Sequence, residues 1–120
     1  MKMTANTRLV EGVTIVDLSG RIVLGEGSAG LRDLVGKLIR EGNKKVLLNL
    51  GNVSYIDSSG LGELVAAFTG MRSQGGELKL LNLTKRVRDL LQITKLYTVF
   101  HITDDEDTSV KSFSPAIFAD

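Results

Sequence analysis

The sequence predicts an α/β domain, a mixed β-sheet of four to five strands with about four helices packed against it. Three observations carry that reading. Strand-like apolar runs alternate with segments of 3.6-residue periodicity. The first two strand-like segments are separated by two residues only, which makes them a hairpin rather than a crossover pair. The chain has 120 residues, 42% of them hydrophobic, enough for one core and therefore one domain over residues 1–120.

The elements follow in order. Val13, Ile15, Val16 and Leu18, bounded by Gly12 and by Ser19 and Gly20, mark a strand, and Arg8, Leu9 and Val10 form the other hairpin arm across Glu11 and Gly12. Leu31, Leu34, Val35, Leu38 and Ile39 repeat at i, i+3, i+4, i+7 and i+8, a helix with one buried face that starts near Ser28 and stops at Gly42. Residues 45–50 are a nearly continuous apolar run, as expected of a strand covered on both faces, with a continuation at 53–56. Leu61, Leu64, Val65, Phe68 and Met71 give a second helix before Gly75 and Gly76. Residues 77–83 form the next strand, Val87, Leu90 and Leu91 a short helix capped by Thr84, and residues 99–102 a short strand. A last helix begins near Asp104, with acids in its first turn to suit the dipole, and runs through Val110 to Phe113 before Pro115. Residues 1–6 and 114–120 are expected to fray.

Composition narrows the function classes. Fifteen basic residues against fourteen acidic ones leave a charge of +1 with neither sign gathered into a long run, so neither nucleic acid nor a membrane surface is an expected partner. Without cysteine there are no disulfides, thiolate chemistry or cysteine-based metal sites, and a reducing, cytoplasmic setting is expected. The first residues lack the apolar run of a signal peptide, and no stretch approaches the roughly 18 apolar residues of a membrane span. His101, the single histidine, sits in a short apolar strand pattern and reads as structural; with no second His or Cys, no metal site is expected. The glycine-rich segment 25–30 lacks the Gly-Lys-Ser/Thr ending of a phosphate loop and reads as a flexible connector. Ser58 and Ser59 lack a Gly-x-Ser-x-Gly elbow, which argues against hydrolysis.

The densest chemistry is Asp57-Ser58-Ser59-Gly60, where strand meets helix. Asp and Ser accept hydrogen bonds from the unpaired N–H groups of a first helical turn, so capping is the plain reading. A capping box needs Glu or Gln three residues after the cap, but Leu61 follows Ser58 and Gly62 follows Ser59 at that spacing, which leaves one hydroxyl spare. The same helix gathers Gly62, Ala66, Thr69, Gly70 and Ser73 on the face away from its apolar stripe. Small residues there suit either a docking partner or close packing under a neighbouring element.

The string Val53-Ser54-Tyr55-Ile56-Asp57-Ser58-Ser59-Gly60-Leu61-Gly62 resembles the core motif of STAS domains, particularly the bacterial anti-sigma-factor antagonists. The likeness extends through residues 46–50, 75–78, 87–91 and 96–100, and covers the chain from about Leu9 to Phe113. It implies the STAS fold and a binding protein rather than an enzyme, with no cofactor, as a monomer or weak dimer. It further implies that a serine kinase doubling as the anti-sigma factor phosphorylates the first serine after the aspartate, here Ser58. The unphosphorylated protein would bind that kinase and free a sigma factor, phosphorylation would break the complex, and a serine phosphatase would restore it. The partner surface implied is Asp57, Ser59, Gly60, Leu61, Gly62 and Ala66: Asp57 orients Ser58, Ser59 caps the helix, and Gly60 and Gly62 let a partner approach the backbone. One departure stands out. Antagonists often carry an acid shortly after the glycine that ends the first strand, and here Gly20 is followed by Arg21. The competing expectation is a constitutive scaffold, or a subunit of a transporter or stress-sensing assembly.

Overall fold

The structure, a computed structural model, describes residues 2–113. Glu11 and Gly12 both take positive φ, 49° and 81°, as a two-residue hairpin turn matched to the strand twist requires. They join β1 (Thr4–Val10) to β2 (Val13–Ile22) in antiparallel register from Val10 opposite Val13 to Thr4 opposite Ser19. Thr4, Ala5 and Asn6 are therefore ladder residues rather than a frayed end, because β2 extends past Leu18 and supplies their partners. The expectation for 114–120, and Pro115 with it, lies outside the described residues.

The chain continues through α1 (Glu26–Arg40), β3 (Lys45–Ile56), α2 (Ser58–Ser73), β4 (Glu77–Leu81), α3 (Lys85–Ile93), β5 (Ile102–Thr103) and α4 (Glu106–Ser112). The sheet runs in the order β1-β2-β3-β4-β5, with only the β1–β2 pair antiparallel. That is the mixed α/β sheet the alternation predicts, with four α-helices among the described residues.

Both faces of β3 are covered, which explains its continuous apolar run. Val46, Leu48, Leu50, Val53 and Ile56 pack with Leu31, Val35 and Leu38 of α1, with Leu61, Leu64 and Met71 of α2, and with Val87 and Leu91 of α3. Leu47 belongs to a second cluster on the opposite face, with Val13, Ile15, Leu81, and Val110 and Phe113 at the end of α4. Fully burying a Leu or Val side chain stabilises by about 1.5–3 kcal/mol, so this one strand anchors two layers. Polar contacts tie α4 down as well. Arg8 donates to Asp17 at 2.7 Å and to Glu106 at 3.0 Å, and Asn49 donates to Asp17 at 2.7 Å.

Several boundaries differ from expectation for local reasons. Gly27, Ser28, Ala29 and Gly30 are not a connector but the first turns of α1. A Cβ on Gly27 would lie 2.7 Å from the Arg21 carbonyl, so glycine there permits close helix–strand packing. β4 stops at Leu81 because Asn82 turns to φ 58°. The strand expected at 99–102 is displaced to Ile102–Thr103, since residues 96–98 form a 3₁₀ turn; Val99 and His101 are exposed, while Phe100 packs inward, edge-on to Phe68 at 5.5 Å, and Ile102 packs half-buried against the core. His101 is exposed, contrary to its reading as a structural histidine, and contributes its carbonyl to the sheet by accepting from Leu80 N–H. α4 spans Glu106–Ser112 because Asp105 caps it, accepting from Thr108 N–H at 2.8 Å.

Candidate functional site

The end of β3 and the start of α2 meet at Asp57, whose extended backbone (φ −105°, ψ −174°) makes it the N-cap. Its carboxylate is bound at both oxygens. Oδ1 accepts from Gly60 N–H and Oδ2 from Leu24 N–H, each at 2.9 Å. Asp57 N–H in turn donates to the Ile22 carbonyl at 3.3 Å. One residue thus fastens the loop after β2 to the first turn of α2. Those N–H groups, Gly60 first and Leu24 next, hold the Asp57 carboxyl below the usual aspartate range.

This assignment corrects the expected cap. Asp57 caps the helix, not Ser59, because Asp57 is the last residue with extended dihedrals while Ser58 and Ser59 already lie inside α2. Both hydroxyls are consequently spare: among the described residues neither Ser58 nor Ser59 makes a side-chain hydrogen bond. Ser58 is exposed and Ser59 half-buried. An accessible hydroxyl at a helix N-terminus, where N–H groups and the dipole favour negative charge, can accept a phosphoryl group without being pulled from a structural role.

The other residues expected at a partner surface divide. Gly60 faces inward, where a Cβ would come 2.1 Å from the Ile22 carbonyl; its lack of a side chain serves the packing of α2 on β2 rather than a partner's approach. Leu61 is only 5% exposed and belongs to the core, so it too is removed from the surface. Gly62 and Ala66 are exposed, and Ala66 lines a shallow cleft of about 180 Å³ between α1 and α2. Gly70 is used for helix packing, with the Ile39 Cδ1 atom 3.4 Å from where its Cβ would be. Arg32 of α1 and Glu63 of α2 cross the same seam in an ion pair at 3.1 Å.

The exposure of Leu24 and the gathering of Arg21 and Arg86 on Tyr55 were not read from the motif. Leu24 is 77% exposed, yet its N–H is bound to Asp57, so an exposed apolar residue is tied directly to the capping carboxylate. Tyr55 carries two cations: the guanidinium carbons of Arg21 and Arg86 lie 5.0 and 4.5 Å from its ring centroid. An apolar residue between Val23 and Gly25 in a short loop was the available signal for Leu24. None existed for Arg86, which comes from a distant helix. Among the described residues, no cluster of three His, Cys, Asp or Glu is arranged to hold a metal ion, and no helix is long and apolar enough to cross a membrane.

Comparison with known proteins places this geometry. The chain is 28% identical over 120 residues to BtrV of Bordetella bronchiseptica, a candidate anti-sigma factor antagonist, with 98% of each chain covered. Its fold is similar to a candidate anti-sigma factor antagonist of Thermotoga maritima, with a TM-score of 0.84, 24% identity and coverage of 91% and 93%. The anti-sigma factor antagonist SpoIIAA of Bacillus shares the fold in its unphosphorylated form, with a TM-score of 0.68, 17% identity and coverage of 90% and 94%. Its phosphorylated form gives a TM-score of 0.69, 18% identity and coverage of 90% and 97%. The pattern of the STAS domain family matches residues 4–109, nearly all of the described chain, and this protein belongs to that family.

Proposed function

We propose that this chain is an anti-sigma-factor antagonist switched by phosphorylation of Ser58. In this reading the unmodified protein binds an anti-sigma factor that is also a serine kinase and so frees a sigma factor. Phosphorylation ends that complex, and a serine phosphatase resets it. The chain is substrate and ligand, not catalyst.

The observation that carries the reading is the exposed Ser58 hydroxyl, unbonded at the first position of α2, beside a carboxylate already occupied by two N–H groups. A phosphoryl group adds roughly −1.5 to −2 charges there at neutral pH. The helix terminus offsets part of that charge, about 0.3–1 kcal/mol, so the fold survives. A partner pressed on the same surface without a matched cation meets repulsion and desolvation, and each ~1.4 kcal/mol lost weakens binding tenfold. The relatives support this role, and SpoIIAA keeps the fold in both phosphorylation states.

The experiment is to incubate the protein with its cognate kinase and ATP and map the modified residue by mass spectrometry. Ser58→Ala should abolish incorporation and Ser59→Ala should leave it intact; the reverse pattern would sink the assignment.

A further inference from the structure

Arg21, near the end of β2, is in register with Tyr55 of β3, and Arg86 reaches the same ring from the first turn of α3. Arg8, Arg32 and Arg88 each face a carboxylate; among the described residues Arg21, Arg40, Arg72 and Arg86 have no ion pair, and of these Arg21 and Arg86 share one aromatic ring. Both are exposed. The ring holds each guanidinium through its negative face and leaves the N–H donors available, the geometry in which Arg binds a carboxylate as a fork. Two like charges brought to one ring without a counter-ion define a local anion-seeking point. The rest of the chain is nearly neutral, at +1, with no basic run to follow a polyanion.

This point adjoins the serines. Tyr55 precedes Ser58 by three residues, which limits their Cα separation to about 11 Å. Arg21 precedes Ile22, whose carbonyl accepts from Asp57 N–H, and Leu24 stands 77% exposed on the same loop. A cleft of about 210 Å³ lies against this loop, lined by Lys2, Met3, Arg21, Val23, Leu24 and Glu26.

We propose that Arg21 and Arg86, held on Tyr55, receive an Asp- or Glu-bearing segment of the protein that docks at unphosphorylated Ser58, with Leu24 as the adjoining apolar contact. The inference rests on the Ser58 reading and adds the chemistry of the partner: an acidic segment, complementary to two guanidinium groups held on one ring.

The test is calorimetric titration of the purified cognate kinase with the unphosphorylated protein and with the Arg21→Glu/Arg86→Glu and Arg21→Lys/Arg86→Lys variants, each checked for an unchanged thermal melt. The double Glu variant should bind at least 100-fold more weakly and lose most of the salt dependence, and the Lys variant should be intermediate, because an ammonium cannot fork a carboxylate. At saturating protein the kinase should still phosphorylate Ser58 of the double Glu variant, with KM raised and kcat kept. Wild-type affinity in a folded double Glu variant, with Ser58 still phosphorylated, overturns this inference alone. A wild-type protein that the kinase neither binds nor phosphorylates overturns the Ser58 reading and this inference together. If the two arginines prove to bind single-stranded nucleic acid while the kinase is indifferent to them, the acidic-segment assignment is also overturned.

Discussion

Two polar clusters in this molecule are built around carboxylates and are solved in opposite ways. At Arg8, Asp17, Asn49 and Glu106, a guanidinium bridges two acids across β1, β2 and α4, and each charge has a partner. At Asp57 the partners are N–H groups, which satisfy the oxygens without neutralising the charge, and the neighbouring hydroxyls and arginines stay unpaired. A cluster in which every charge has an oppositely charged partner locks elements together. One that satisfies geometry but leaves charge and hydroxyls open is poised to respond to another molecule.

The contrast can be broken most strongly at Ser58. Ser58→Asp should reduce affinity for the kinase at least 100-fold while the circular dichroism spectrum and melting temperature hold, because the new charge enters an exposed, open site. Equal affinity for Ser58→Asp and wild type would show that charge is not what the partner reads. Next in size is Gly60→Ala. Its Cβ would meet the Ile22 carbonyl, so a stability loss of about 1–3 kcal/mol by urea denaturation is expected from overpacking alone.

Arg8→Ala tests the closed cluster. It should cost about 1–2 kcal/mol, discounted for the partial exposure of all three ionic partners, and leave kinase binding unchanged. The pH dependence has a defined sign. Asp17 and Glu106 both sit below their ordinary values because of Arg8, so their contribution is present above the unfolded carboxylate range and lost as pH falls through the lowered folded values. Stability of the wild type should therefore drop below about pH 4, and the gap between wild type and Arg8→Ala should close there. The smallest effect belongs to Asp57→Asn. An amide can accept from only one of Gly60 and Leu24, so amide hydrogen exchange should speed up at one of these two positions with little change in global stability.

The amino-acid sequence alone determined the element types, the hairpin at Glu11 and Gly12 and the two-sided burial of β3, and it singled out residues 57–62 as the string on which the proposed site is built. Each of these is a statement about neighbours in the chain: periodicity, turn chemistry and the composition of one short string. Which residue caps α2 was decided by where the extended backbone ends, and adjacent Asp and Ser compete for that place on nearly equal terms. The inward turn of Gly60 and Leu61 was decided by how α2 lies on β2. The tether from Asp57 to Leu24 spans 33 positions, and Tyr55 gathers Arg21 and Arg86 from two other elements. Those contacts depend on parallel strand register and helix placement, which arise only when the apolar faces of distant segments are buried together.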